Sequence, residues 1–387
     1  MEKGTSPFLR LLTDSPEKTL FTVGLVVMIV WLGSIFSYAF VSTTEMRVEM
    51  DPDQQTILVA GGAGYIGSHV VADLVENKYN VVVYDSLYKG HKQSIVGLKN
   101  VAFVKGDVRD GDLLDKTFKR FEPVAVMHFC ADSLVGESVI DPLKYYDNNV
   151  GGAISLLQAM GRNGVDYIVF SSTAAIFGDP EVDIISEDTP KAPKNPYGET
   201  KLAIERMLHW ASESPSSTLK YVALRYFNAA GAHPTRDIGE DHSPETHLIP
   251  NVMKAIQGSG GRLKVFGNDY QTPDGTCVRD YIHVMDLSQA HVKALAWMIH
   301  NDLSGQFNLG NGNGFSVMDV IGSAKTVTQR EVPYDLAPRR AGDPPTLVAN
   351  SVKAKSVLGW RPEHDSMDDI IASAWRWHQA HPAGYKD

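Results

Sequence analysis

Cysteine is scarce in this 387-residue chain: Cys130 and Cys277 are the only two, far apart and outside any Cys-x-x-Cys spacing. Neither a disulfide framework nor a zinc site is indicated, and both read as small buried hydrophobes. An excess of basic charge is missing as well. With 36 Lys and Arg against 46 Asp and Glu the formal net charge is −10, which leaves no footprint for a phosphate backbone, so no nucleic-acid partner is expected. Internal repeats, low-complexity tracts and long runs of like charge are also absent, which excludes solenoids and acidic or basic tails. A mean hydropathy of −0.16 excludes a polytopic membrane protein. What remains is an ordinary globular composition, 43% hydrophobic and 21% charged, long enough for two domains or one large α/β unit with an appended half.

One apolar run breaks that average. Leu20 to Val41 is 22 residues without a charge; as a helix rising ~1.5 Å per residue it would cover ~33 Å, enough for a ~30 Å hydrocarbon core. Lys3, Arg10 and Lys18 precede it, whereas Glu45, Glu49, Asp51 and Asp53 outnumber Arg47 after it. The positive-inside rule then keeps the tail, residues 1–19, cytoplasmic and translocates everything after Val41. The expectation is a single-pass membrane protein whose main domain is luminal, in Golgi or endoplasmic reticulum. A cleaved signal peptide, with Ser37-Tyr38-Ala39 as its small-x-small site, and a buried core helix are the alternatives. No Asn-x-Ser/Thr acceptor occurs, which a lumen permits but does not favour. Residues 42–54 are polar and acidic and read as a stalk.

From Thr56 onward the pattern alternates. Thr56–Ala60, Val81–Asp85, Ala102–Lys105, Val124–Phe129, Tyr167–Ser171 and Val222–Tyr226 read as strands. His69–Glu76, Asp112–Phe121, Gly151–Met160 and Gly198–Ala211 read as the helices between them. Repeated strand–helix–strand argues for an α/β fold built on a doubly wound parallel sheet over residues 55–228. Beyond Asn228, Gly, Pro and loops multiply, and residues 229–387 read as a smaller mixed α/β C-terminal domain facing the substrate.

The first strand runs straight into Gly61-Gly62-Ala63-Gly64-Tyr65-Ile66-Gly67 and then an apolar helical stretch. Gly61 suits a tight turn, Gly64 lets backbone N–H groups approach a pyrophosphate, and Gly67 lets the helix lie close to the strand. A tight turn without a ligand is the bland alternative. Against it stands Asp85, eighteen residues after Gly67 at the end of the second strand, placed to accept from ribose hydroxyls and to repel a 2′-phosphate. The pair makes the sheet one of Rossmann type and the cofactor NAD. Asp107, after the third strand, reads either as an adenine contact or as the N-cap of the helix that follows.

Tyr197 and Lys201 form Tyr-x-x-x-Lys at the start of a helix introduced by Asn195-Pro196. A spacing of four puts both on one face, one turn apart. A phenol near its ordinary pKa of ~10 is a poor base at neutral pH; a neighbouring ammonium would favour the phenolate and let it take a proton from a sugar hydroxyl. An ordinary surface pair is the alternative. Ser171-Ser172-Thr173 ends a strand 24 residues before Tyr197, and its hydroxyls suit a hydrogen bond to the reacting oxygen.

Gly61–Gly67, Phe170-Ser171-Ser172-Thr173, Pro196-Tyr197-Gly198-Glu199-Thr200-Lys201, Arg225-Tyr226-Phe227-Asn228 and Val278-Arg279-Asp280-Tyr281-Ile282-His283-Val284 together resemble the UDP-galactose 4-epimerase family of extended short-chain dehydrogenases/reductases. The resemblance runs from about Thr56 to Asp387. It implies NAD held by Gly61, Gly64, Tyr65, Ile66 and Gly67, with Asp85 on the ribose. Asp107 and Val108 match the adenine side, Phe129 and Ala131 the loop after the fourth strand, and Asn148 and Phe227 further cofactor contacts. Tyr197 matches the catalytic base, Lys201 its electrostatic partner, and Thr173 stands where many members carry serine. Ser133 departs from the lysine some members place there, so that contact is not assigned.

For the substrate, the resemblance implies Asn228, Arg279 and Arg340 on the diphosphate of a UDP-sugar, Leu248, Val265 and Phe266 beside uracil, and Asp343 on the uridine ribose. Bidentate guanidinium suits phosphate oxygens independently of any family. Phe307 matches the position bordering the sugar's C2 substituent, which implies poor use of N-acetylated sugars. The implied reaction is isomerisation through a 4-keto sugar, hydride passing from C4 to NAD and back, with UDP-galactose and UDP-glucose as the first pair and UDP-xylose and UDP-arabinose as the second. A C6 carboxylate, as in UDP-glucuronate, stays open. A dehydratase or decarboxylase would need acidic residues after the strand-end threonine, where Ala174 and Ala175 stand. A non-catalytic NAD-sensing scaffold would be free to lose Thr173, Tyr197 or Lys201, and all three are present. No metal is implied, and a homodimer is a family expectation.

Overall fold

The computed structural model describes residues 50–386 except 341 and 342. Strands β1 (Thr56–Ala60), β2 (Asn80–Asp85), β3 (Val101–Lys105), β4 (Ala125–His128), β5 (Tyr167–Thr173), β6 (Lys220–Tyr226) and β7 (Gly305–Leu309) form one sheet in the order β7-β6-β5-β4-β1-β2-β3. Every neighbouring pair is parallel. These runs are apolar on both faces because helices cover both. Alternate side chains of β1 divide accordingly: Ile57 and Val59 enter one core, Leu58 and Ala60 the other.

Helices α1 (Tyr65–Glu76), α2 (Gly111–Phe121), α3 (Gly152–Asn163), α4 (Pro196–Ser212) and α5 (Val284–Asn301) supply the outer layers. Val70, Val71 and Leu74 of α1 share the first core with Leu287 and Leu295 of α5. Leu114 and Phe118 of α2, Leu156 and Met160 of α3, and Ile204 and Leu208 of α4 fill the second. From β1 the chain winds outward through β2 and β3, then crosses back to β4 and winds the other way. That reversal opens a crevice beyond the carboxyl ends of β1 and β4, where ligands of open α/β sheets bind.

The seventh strand comes from beyond residue 228: β7 lies parallel against β6, Phe307 level with Leu224. Before α5, Tyr281–His283 pairs with Asn228–Ala230. Two further small sheets join Val278–Arg279 to Phe315–Ser316, Thr346–Ala349 and Ile184–Ile185, and Leu263–Phe266 to Tyr334–Ala337. A separate core there gathers Val252, Met253, Val265, Val320, Ile370 and Ile371. Asp51 and Gln54, read from sequence as the end of a stalk, are tied to Asn80 at the start of β2: its Nδ2 donates to both carbonyls, at 2.7 and 3.0 Å. Among the described residues no helix is long and apolar enough to cross a membrane. Leu20–Val41 lies outside the described residues.

Candidate active site

The turn after β1 shows which of its glycines the protein itself requires. Gly61 has φ +83°, and a Cβ there would lie 2.7 Å from the Cys130 amide nitrogen. A Cβ on Gly67 would sit 2.2 Å from the Gly61 carbonyl oxygen, so only glycine lets α1 lie this close. Gly64 differs: its Cβ would meet only that same oxygen, at an ordinary 3.4 Å. The fold leaves the outer side of Gly64 clear, and α1 begins there with neither a side-chain cap nor an acidic residue in its first turn. A helix N-terminus so arranged fits a diphosphate.

Asp85, nearly buried, accepts from the Ala63 amide at 2.9 Å and the Leu87 amide at 2.8 Å. Burial pushes its carboxyl up, and these two bonds pull it partly back. One lone pair on each oxygen stays available for ribose hydroxyls. Asp107 does not cap the next helix: Asp110 does, accepting from the Leu113 amide at 3.0 Å. Asp107 is instead held by the Arg109 guanidinium, at 2.6 and 2.9 Å, and lies below its usual range because of it. Val108 is sealed in the core, and a Cβ on Gly152 would come within 2.5 Å of it. Phe129 packs against the His291 ring, centroids 4.9 Å apart. Tyr65 donates to the Gly231 carbonyl at 2.7 Å, while Ile66 packs on the first core. Ala131, half-buried, precedes Asp132, whose amide donates to Asn149 at 2.8 Å. Asn148 donates to the same Asn149 oxygen at 3.2 Å.

Asn195 caps α4 by accepting from the Gly198 amide at 2.9 Å, and Pro196 takes the first helical position. This start delivers Tyr197 to the end of β5, within reach of the Thr173 side chain. Thr173 Oγ1 accepts from the Ala175 amide at 3.1 Å. Burial raises the phenol, and the nearby Thr173 side chain offsets only part of that. Lys201 also reaches the end of β5. Its Nζ donates to the Ser171 carbonyl at 2.8 Å, and burial pulls its pKa down to about 8. Phe227, partly buried, packs against the small core of Ile176, Phe177, Ile185 and Leu202.

In the second half, Asn228 Nδ2 donates to the Asp280 carbonyl at 3.0 Å. Arg279 and Asp343, expected on diphosphate and ribose, hold each other at 2.7 Å. The Arg340 guanidinium lies 4.1 Å above the Phe266 ring, and the Asp343 amide reaches the Arg340 carbonyl at 3.4 Å. Four of the expected uridine-side residues are thus brought together. Leu248 packs against the core behind them. Val265 is 0% exposed, so of the pair only Phe266 can present a face. Phe307 is corrected in the same way: its ring is 1% exposed, edge-on to Trp297 at 5.5 Å within the sheet core. It offers no face to a sugar, and the argument against N-acetylated substrates loses its support.

The profile of the NAD dependent epimerase/dehydratase family matches residues 57–310. A UDP-glucose 4-epimerase of Lactobacillus helveticus is 52% identical over 331 residues, covering 86% of this chain and 99% of that protein. A crystal structure of a UDP-glucose 4-epimerase superposes with a TM-score of 0.83 at 52% identity, over 86% of this chain and 100% of that one. Another, from Stenotrophomonas maltophila with bound NAD and formylated UDP-arabinopyranose, gives 0.81 at 38% identity, over 85% and 99%. The chain belongs to the UDP-glucose 4-epimerase family. As a member it is an isomerase that uses NAD to epimerise a UDP-sugar at C4.

Membership also corrects the expected compartment. The UDP-glucose 4-epimerases of Lactobacillus helveticus and Halalkalibacterium halodurans, bacterial enzymes, align over 97–99% of their own length. Relatives of this kind overturn the luminal single-pass placement in Golgi or endoplasmic reticulum. Three buried polar residues of this epimerase escaped the sequence reading. Asn149 bonds Asp132 and Thr200, joining the loop after β4 to α4. Glu205 pairs with Arg225 at 2.7 Å and accepts from Ser172 at 2.5 Å. Asp280 accepts from the Asn311, Gly312 and Ala349 amides at 2.7–3.0 Å. A charge inside an otherwise apolar helix or strand was the available signal for Glu205 and Arg225.

Proposed function

We propose that Tyr197 moves the proton of the sugar's 4-hydroxyl in this epimerase, with Thr173 orienting it and the Gly61–Gly67 turn and Asp85 holding NAD. The observation that carries the reading is the convergence of Tyr197, Thr173 and Lys201 at the end of β5, where the Thr173 side chain lowers the buried phenol and Lys201 bonds the Ser171 carbonyl, beside the crevice the strand order creates. NAD, when bound, accepts hydride from C4 and returns it to the other face of the 4-keto sugar. Tyr197 takes the hydroxyl proton in the first half and gives it back in the second. Thr173, whose Oγ1 accepts from the Ala175 amide, keeps its hydroxyl proton to donate to the reacting oxygen. Lys201 fixes the strand end through the Ser171 carbonyl and keeps a positive charge in the pocket below about pH 8. Arg279, Arg340 and Asn228 grip the remote diphosphate, leaving the sugar free to turn.

UDP-galactose and UDP-glucose are the substrate pair, with UDP-xylose and UDP-arabinose the second choice; direct competition among the four sugars ranks them. Tyr197→Phe, isolated with its NAD content unchanged, should lose about 10²–10⁴-fold in turnover. Near-normal turnover with cofactor bound would remove Tyr197 from the mechanism.

The expected homodimer has a surface to use. Val139, Ile140, Leu143 and Tyr146, close in sequence, are 42–86% exposed, and a second copy burying this patch accounts for it. Ile140→Asp should shift sedimentation to the monomer; an unchanged dimer would locate the interface elsewhere.

A further inference from the structure

Just after the turn at Gly239 the chain reads Glu240-x-His242-x-x-Glu245-x-His247, alternating carboxylate and imidazole donors. The cysteine census gave no hint of this cluster. One ligand atom from each of the four side chains lies within 4.8 Å of all the others. His247 Nδ1 is 3.0 Å from an oxygen of Glu240 and 3.0 Å from one of Glu245. His242 Nδ1 is 3.3 Å from Glu240 and 3.7 Å from Glu245. Four donors around a tetrahedral ion with bonds of 2.0–2.2 Å stand about 3.3–3.6 Å apart. The four carboxylate–imidazole separations, 3.0–3.7 Å, bracket the edges of such a tetrahedron, and no edge exceeds 4.8 Å.

Hydrogen bonding alone leaves the cluster unfinished. A single N–H on His247 cannot point at two carboxylates at once. His242 Nδ1 and Glu245 Oε2 are buried and make no hydrogen bond, although the Glu245 side chain is only 3% exposed. The Glu240 side chain is 4% exposed, so two carboxylates are withdrawn from water on one spot. The His247 side chain is 47% exposed and gives an ion a way in.

We propose that Glu240, His242, Glu245 and His247 bind one divalent transition-metal ion of the zinc class. Two carboxylates, two neutral imidazoles and a divalent ion sum to zero charge, and every buried donor atom gains a partner. The site is structural: the His242 ring stands edge-on to Tyr65, centroids 6.2 Å apart, and Tyr65 is the first residue of α1. A metal here braces the loop after Gly239 against the helix that begins at the cofactor turn.

The test uses the full chain with its NAD, stripped by chelator and titrated with Co²⁺ and, separately, Zn²⁺. One tightly held equivalent, with the intense visible absorption of tetrahedral Co²⁺ that Zn²⁺ displaces, is the expected result. Glu245→Gln and His247→Gln should each weaken binding by at least the ~10–100-fold typical of lost second-shell partners. His247→Gln changes an exposed ring, so its fold is the safer of the two. Sub-stoichiometric uptake, a pale octahedral spectrum, or variants that bind like the parent would each overturn the site and leave four paired side chains.

Discussion

Thr173 and Tyr197 form the smallest unit on which activity depends. The phenol is held above its ordinary range by burial, and Thr173 is the only side chain pulling it back. Thr173→Val keeps the shape and removes the hydroxyl. A hydrogen bond to a charged group is worth about 1.5–3 kcal/mol, so turnover should fall about 10–100-fold, with Thr173→Ser recovering most of it in a steady-state assay. Equal activity of the two variants would reduce Thr173 to a packing residue. Spacing made this pair legible, because a strand end and a capped helix start are local signals. Lys201 and Phe307 were not legible at this scale. Periodicity says which residues share a face, but not that the Lys201 ammonium would choose the Ser171 carbonyl, nor that Phe307 would turn into the core beside Trp297.

Within the turn joining β1 to α1, Gly61 and Gly67 serve the fold, whereas nothing in the fold requires a glycine at position 64. Gly67→Ala drives a methyl to 2.2 Å from a backbone oxygen and should cost about 3 kcal/mol in urea denaturation of the NAD-free chain. Gly64 has φ −77° and ψ 174°, which alanine adopts freely. Gly64→Ala should therefore match or exceed the parent's stability by about 0.4–1 kcal/mol while retaining less NAD through purification. Undiminished NAD content would break the link between Gly64 and the diphosphate. Helix α4 has its own anchor. The Arg225–Glu205 pair, 5% and 7% exposed, ties it to β6, and Ser172 ties it to β5. Glu205→Ala leaves a buried guanidinium unpaired and should cost about 3–5 kcal/mol by urea midpoint. Glu205→Leu combined with Arg225→Met should recover much of that loss, since an apolar pair carries no unpaired charge.

At the scale of the molecule, the alternation of strands and helices up to Tyr226 was readable because each parallel strand, covered on both faces, is a continuous apolar run. The seventh strand was not: β7 joins β6 from some eighty residues later, and pairing at that distance leaves no local periodicity. Hidden too was how many imidazoles the fold would seal away. His69, His128 and His291 are 0–2% exposed, and burial lowers them to about 4, 3 and 4. Both nitrogens of His128 lack a hydrogen-bond partner among the described residues. In the unfolded chain these rings protonate near pH 6.5, in the folded chain only near 3–4, so unfolding takes up protons in between. Stability is then complete above about pH 6.5 and declines as pH falls, by about 1.4 kcal/mol per unit for each ring. Asp73, raised by burial to about 6, works in the opposite sense, as do Asp85, Asp132, Asp280 and Asp286, also raised by burial, while His233, His283 and His378, lowered by burial, add to the three rings. Urea midpoints should therefore drop between pH 6.5 and pH 5, well before ordinary carboxylates titrate. His128→Leu should flatten that slope by about 2 kcal/mol across the interval, because a neutral side chain has no proton to gain on unfolding. A His128→Leu protein as acid-sensitive as its parent would mean that this ring is already charged in the fold, and that Lys201, which disfavours its protonation, stands beside a cation it should repel.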